Sequence, residues 1–397
     1  MKIAYLTYWS INEGLSQATS IPHLKVLNNF SQVEKIDYYT FEKDEIIQIP
    51  NITSKINHYS LKRRIGSSLI NKIKDYHGAW KKIHSNHKAV KYDLVIARSS
   101  FAGIFALFIK LIYGVPFVVE SFEPHSEYQV NIPNGWSKWG VRYLFLNFFE
   151  NIEKNFSSVL LPVSNGYKKK LIEQGIPENK IILQPCCVDY SKVKFCPSTN
   201  QSFRNQLNIP DDNLVGIYAG KFGGLYYEKE AFELIGDLYR LLNNKLSIIL
   251  LTPNDKENLI NELTSNGLEI QKINILFVKP EHVFNYLIAS DFAFNFHISN
   301  NVSNNFSPIK NAEYWSMGLP IIMPPRIGDD SEIVEKLEVG IVHNFSQKIT
   351  KKQVDKLLCI LSQVNYRDTI SKKTAVYRSI DLIHDSYSEM FDILKIK

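Results

Sequence analysis

Short apolar runs alternate with longer segments of helical periodicity along nearly the whole chain, and few folds accommodate that pattern. KIAYLTY, KIDYYTF, YDLVIARSS, VPFVVES, SSVLLPVS and KIILQPC read as strands in the first half. Between them lie helical segments from about Ser20 to Phe30 and Ala102 to Tyr113, and then NGYKKKLIEQG. The second half repeats the scheme, with LVGIYAG, LSIILLTP, INILFVKP, DFAFNFHIS, LPIIMP and GIVHN set between helical segments such as EKEAFELIGDLYRLL and EHVFNYLIASD. Runs this uniformly apolar are buried on both faces, as in a parallel sheet whose crossover helices cover it. A chain of 397 residues is also too long for one ordinary core of roughly 150 to 200 residues.

The pattern therefore predicts an α/β protein of two Rossmann-like, doubly wound domains facing a central cleft. The first covers residues 1–190, and 191–203, SKVKFCPSTNQSF, is polar, aperiodic and read as the linker. The second covers 204–375, and 376–397 is read as a helix that returns to the first domain. The cleft is the expected ligand site.

Composition narrows the partners. A net charge of +6 suits an anionic ligand or surface, and no nucleic-acid-binding motif accompanies it. Cys186, Cys187, Cys196 and Cys359 form no CxxC pair and lack a metal-ligand spacing. They are read as reduced and structural, and neither a metal nor a cofactor is expected. MKIAYLTYWS starts directly on a strand and no run approaches the length of a membrane span, so a cytoplasmic protein is expected.

In a parallel sheet ligands collect where strands hand over to helices. After LVGIYAG comes GKFGGLYYEKE, where Gly223 and Gly224 permit positive φ and close approach of an anion beside Lys221. The loop is either a phosphate cradle or a tight glycine turn with a solvated lysine. In NNFSPIKNAEYWSMGLP, Ser307 is placed to cap a helix, Pro308 to take its first position and Gly318 to end it. Lys310 then falls in the first turn, where the helix dipole disfavours a cation by about 0.3–1 kcal/mol. A bound phosphate would reverse that penalty, and Glu313 on the same face could accept hydrogen bonds from sugar hydroxyls. A simple Lys310–Glu313 surface ion pair is the alternative.

GKFGG, Asp291 and SPIKNAEYWSMGLPII together resemble the donor domain of the GT-B glycosyltransferases, especially the retaining family 4. EGLSQATSIPHLKVL and VLLPVSNGYKKKLIEQGIPENKIILQPCCVD extend the resemblance over nearly the whole chain. It implies a metal-independent hexosyltransferase that moves a sugar, with retention, from a UDP- or GDP-linked donor to a glycan or lipid-linked glycan. Surface polysaccharide or glycoconjugate synthesis is the implied setting. Lys221 and Lys310 would hold the diphosphate and Glu313 the ribose, with Ser307, Pro308 and Ile309 lining the donor site and Val278 and Lys279 near the base. Where the family often has a glutamate that touches the donor sugar, this chain has Asn305.

In the first domain His125 and Glu123, after VPFVVE, are the catalytic-cleft candidates, with a structural hydrogen-bonding histidine as the alternative. Gly14 would let the first loop approach the diphosphate, and Ser16, Gln17, Arg98 and Ser99 are acceptor-side candidates. A GT-B epimerase or phosphorylase, or a catalytically silent GT-B binding protein, would share the architecture.

An amphipathic pattern runs from Ile65 through Leu69, Ile73, Tyr76, Trp80 and Ile83, with Lys72, Lys74, Lys81 and Lys82 between. It suits a helix packed on its own domain or one docked on an anionic membrane. Trp136, Trp139, Phe145, Phe148 and Phe149 could add either an interfacial patch or core.

Overall fold

The computed structural model describes residues 1–43, 53–64, 69–133, 135–191 and 195–395. The chain divides into two compact units, Met1–Asn131 with Gly135–Cys186 and Ile380–Lys397, and Ile132–Asn134 with Cys187–Ser379. Unit 1 holds strands β1 (Lys2–Thr7), β2 (Lys35–Glu42), β3 (Ile56–Lys62), β4 (Leu94–Arg98), β5 (Phe117–Phe122) and β6 (Val159–Pro162). Unit 2 holds β7 (Leu214–Ala219), β8 (Leu246–Leu251), β9 (Ile273–Leu276), β10 (Phe292–Phe294), β11 (Ile321–Met323) and β12 (Gly340–Val342). All ladders in both sheets are parallel.

The orders are β3-β2-β1-β4-β5-β6 and β12-β11-β10-β7-β8-β9. Each sheet is thus built outward in both directions from its first strand. The order reverses between β1 and β4 and again between β7 and β10, the two places where helices leave adjacent strand ends toward opposite faces. Two core clusters cover the faces of the second sheet, one around Phe232, Leu238 and Phe294, the other around Trp315, Leu287 and Ile321. Burying a side chain of this size contributes about 1.5–3 kcal/mol.

Several segments differ from the sequence reading. The stretch read as linker contains the helix Pro197–Gln206, whose Arg204 donates to both oxygens of Asp291 at 2.7 Å. Asp291 also accepts from the Val215 amide at 2.8 Å, so one carboxylate ties this helix to β7. The edge strand β3 is polar and only half-buried, which hid it from a pattern search. The amphipathic helix spans Leu69–Val90; Ile65 lies outside the described residues. Its Ile83 is buried and Tyr76 and Trp80 pack against the unit 1 core, so that stripe is core, while Ile73 is exposed. The helix Asp381–Ile393 belongs to unit 1, where Ser386 accepts from Gln184 at 2.8 Å and His384 stacks on Phe30 at 4.7 Å. No helix among the described residues is long and apolar enough to cross a membrane.

Helices Ser100–Tyr113 and Val141–Phe156 pack together in unit 1, and Gly103 is what lets them meet. A Cβ there would lie 2.6 Å from the carboxyl carbon of Glu153, which is fully buried. Burial, with nearby Glu150 adding to it, raises the Glu153 pKa well above its ordinary value. The folded chain therefore binds this proton more tightly than the unfolded chain. Stability from the site is complete below the ordinary carboxyl range and is lost as pH rises toward the raised value. Glu153→Gln removes the penalty, and its Tm advantage over the wild type is expected to grow as pH rises above the ordinary carboxyl range. A gain on the order of 2–4 °C corresponds to about 1 kcal/mol. A Tm difference independent of pH, measured by thermal unfolding, would show that Glu153 does not hold the proton.

Candidate functional site

In unit 1 the ends of β1, β2, β4 and β5 converge on two polar clusters. Glu120 on β5 is fully buried and accepts from Arg98 Nη1 on β4, from Tyr5 Oη at 2.5 Å and from Tyr387 Oη at 2.5 Å; His23 Nδ1 lies 3.0 Å away. Burial opposes its ionisation, but His23 and Arg98 hold the carboxyl down to about 2. Arg98, expected on the acceptor side, is instead occupied in this buried ion pair. Its guanidinium balances a charge that would otherwise be unpaired in the core. At the end of β2, Glu42 accepts from Ser10 Oγ and from the Ile11 amide at 3.0 Å, fixing the first loop. Gly14 stands exposed at the start of the helical turns that follow, Ser16 is buried, and Gln17 closes the loop by donating to the Ile11 carbonyl at 2.7 Å.

Ser99, directly after β4, has φ 74° and ψ 159°, a region occupied almost only by glycine and costing about 1–3 kcal/mol. Its amide donates to the Glu120 carbonyl at 2.9 Å and its carbonyl accepts from Ala102 and Gly103 at 3.1 Å each, and these bonds hold the conformation. His125 opens the helix His125–Val130. Its ring lies among Trp9 at 6.2 Å, Phe101 at 6.1 Å and Tyr128 at 5.9 Å. Nε2 is closed off with no hydrogen-bond partner among the described residues, and burial lowers the pKa to about 4, so the imidazole is neutral. Burial pushes Glu123, half-buried, up to about 7 against the pull of Arg98.

In unit 2 the glycine loop follows β7 and carries positive φ at Gly223 (81°) and Gly224 (66°), with Lys221 exposed. Its backbone is tied to the segment after β10. Tyr227 donates to Phe296 at 2.7 Å and Ile298 to Leu225 at 2.9 Å, so the loop spans the strand-order reversal. The other wall is the helix Ile309–Ser316, with Lys310 in its first turn. Lys310 Nζ lies 2.8 Å from Glu313 Oε2, so the ion pair weighed as the alternative forms. Val278 is partly buried in the core and Lys279 is exposed, both beyond the edge strand β9 and apart from the reversal.

The start of that helix corrects the sequence reading. Pro308 is the N-cap rather than the first helical residue, and Ser307 does not cap. Ser307 Oγ instead accepts from Arg378 Nη1, while Arg378 Nη2 donates to Asp330 Oδ1. A buried guanidinium has only donors to offer, and it takes the serine oxygen as one of its acceptors. Gly318 follows the helix with φ 70°, where a Cβ would lie 2.3 Å from the Arg367 carbonyl oxygen. Asn305 is buried in the short turn Ser303–Asn305.

Sequence reasoning missed the polar chain behind this wall. Asp330 Oδ2 accepts from Asn311 Nδ2 at 2.7 Å, and Asn311 Oδ1 accepts from Asn295 Nδ2 at 2.9 Å. Asn295 Oδ1 in turn accepts from the amide and Nδ1 of His297, both at 2.9 Å. The one sequence signal was the asparagine in the otherwise apolar run DFAFNF.

No protein-family model matches the sequence, and comparison with curated proteins finds no relative. Solved structures match over the full length. Sucrose-phosphate synthase from Thermosynechococcus elongatus superposes with a TM-score of 0.71 at 12% identity, covering 100% of this chain and 99% of that one. Anabaena HepE, in complex with UDP and glucose, gives 0.68 at 16%, covering 99% of each chain. WaaG, a glycosyltransferase involved in lipopolysaccharide biosynthesis, gives 0.66 at 12%, covering 98% and 99%. The chain has the GT-B fold of two Rossmann-like units.

Removing one member of a buried ion pair costs about 3–5 kcal/mol. Arg378→Met is expected to destabilise the protein by about that amount in urea unfolding, and adding Asp330→Asn should recover part of it. A loss below about 1 kcal/mol would mean that the pair is solvated.

Proposed function

We propose that this protein is a glycosyltransferase that moves a sugar from a UDP- or GDP-linked donor to a glycan or lipid-linked glycan, with retention. One observation carries the reading: on a GT-B fold, the positive-φ loop of Gly223 and Gly224 and the helix start bearing Lys310 lie on the two sides of the strand-order reversal in unit 2. Cleaving the donor leaves a nucleoside diphosphate, and its growing charge needs donors fixed in advance. Lys221, Lys310, the loop amides and the first amides of the helix are such donors, and they act without a metal. The Lys310–Glu313 pair suits an unliganded site. Lys310 is still 36% exposed, so an arriving diphosphate competes for its ammonium and releases Glu313 to accept from the ribose hydroxyls. In unit 1, His125, held neutral by burial, and Glu123, whose carboxyl burial pushes up to about 7, are proposed to act on the sugar.

The acceptor is assigned to an anionic membrane surface, on the cytoplasmic side. In unit 1 Trp139 (87%) and Val141 (81%) are largely exposed, as in lesser degree are Leu144, Phe145 and Phe148, whereas Trp136 and Phe149 are half-buried. Phe108, Leu111 and Ile112 on the adjoining helix are exposed as well. The charged residues between 135 and 149 are Lys138 and Arg142, both exposed, a combination suited to anionic headgroups. Co-sedimentation with anionic vesicles is expected to be salt-sensitive and to fall on Trp139→Asp; no vesicle binding at low salt would remove the membrane assignment.

The reaction is tested by mass spectrometry of products from a panel of UDP- and GDP-sugars with crude lipid-linked acceptors. A glycosylated acceptor with release of the diphosphate is expected. An epimerised free donor would make the protein an epimerase, and diphosphate binding without turnover of any donor would make it a binding protein. Lys310→Ala is expected to weaken nucleoside diphosphate binding about tenfold or more with little change in Tm. Unchanged affinity by calorimetry would remove the phosphate role of Lys310.

A further inference from the structure

His297 follows β10, next to the strand-order reversal of unit 2. Its ring lies between the two walls of the donor site, 4.5 Å from Tyr226 of the glycine loop and 5.5 Å from Phe306, which adjoins Asn305. His297 and Tyr226 also form an antiparallel backbone bridge, which holds the ring in register with the loop.

The polar chain behind His297 determines which ring nitrogen carries the proton. Arg378 can only donate, so Asp330 accepts. Asn311 must then present Nδ2 to Asp330 and Oδ1 to Asn295. Asn295 presents Nδ2 to Asn311, which leaves its Oδ1 toward His297, where it also accepts the His297 amide. Nδ1 must therefore be the protonated nitrogen, donating to Asn295. Nε2 is left as a lone pair, with no hydrogen-bond partner among the described residues. Burial lowers the His297 pKa to about 3, so the ring stays neutral and Nε2 remains an acceptor through the physiological range.

We propose that His297 contacts the transferred sugar, its Nε2 accepting a hydrogen bond from a sugar hydroxyl, and that Asn295, Asn311, Asp330 and Arg378 are positioning residues acting through its tautomer. The inference rests on the nucleotide-sugar reading above. It adds that the sugar contacts supplied by unit 2 are neutral groups, His297 and Asn305, rather than a carboxylate. A neutral acceptor engages a hydroxyl without adding negative charge near a diphosphate that is itself becoming more negative.

Calorimetry on the full chain tests this with UDP, GDP and a panel of UDP- and GDP-sugars. His297→Ala is expected to weaken binding of the preferred nucleotide sugar about three- to tenfold, the worth of one neutral hydrogen bond. Affinity for the matching nucleoside diphosphate should stay within about twofold, and His297→Gln, which keeps an acceptor, should fall between. Nitrogen-15 spectra of the wild-type imidazoles should show His297 as the Nδ1–H tautomer. Its Nε2 resonance should move with the nucleotide sugar and not with the diphosphate. Equal losses for both ligands, no loss for either, or an Nε2–H tautomer overturns the role of His297 while leaving the nucleotide-sugar reading intact. A wild-type protein that binds no nucleotide overturns both.

Discussion

A parallel sheet grown outward from its first strand has one place where its connections part. In both halves of this protein that place falls beside the first strand, between β1 and β4 and between β7 and β10. Adjacent strand ends there send their helices to opposite faces, so backbone amides, helix starts and short loops are left without a covering element. The residues with chemistry to offer stand around these two reversals. In unit 1 they are Ser99, Glu123 and His125; in unit 2 they are the glycine loop, His297 and the start of the helix Ile309–Ser316. The proposed donor site follows from sheet topology before any side chain is considered.

Buried charge then sets what those residues can do. Glu120 with Arg98 in unit 1, and Asp330 with Arg378 in unit 2, are ion pairs removed from water and completed by further hydrogen bonds. Such pairs contribute little net stability but resist the loss of either partner. Their use here is orientation. The first pair takes Arg98 away from the site surface, and the second takes Ser307 away from helix capping. The Asp330–Arg378 pair also orders the amides of Asn311 and Asn295 up to the ring of His297.

The legible part of the sequence was the part written in local rules. Apolar runs identified eleven of the twelve strands among the described residues and also marked KIILQPC, which forms only an isolated bridge at Ile181, while β3 escaped because an edge strand need not be apolar. Gly223 and Gly224, read as positions that permit positive φ, and Gly318, read as the end of its helix, all take positive φ, since glycine's freedom is local to the residue. The helix Pro197–Gln206 was mistaken for a linker because its stabilising contact, Arg204 with Asp291, joins residues 87 apart. The same difficulty hid the role of Asp291 and the whole chain from Arg378 to His297.

The amino-acid order alone thus settled the parallel α/β class and the repetition of the scheme in two halves, and it pointed to the loops on which the proposed site is argued. Periodicity, glycine freedom and helix-end preferences act over a few residues and survive without knowledge of the fold. The strand order, the occupation of Arg98 and Ser307 by buried partners, and the tautomer of His297 came from tertiary structure. Each is fixed by groups far apart in sequence, and a side chain's availability is known only when its competing partners are in place.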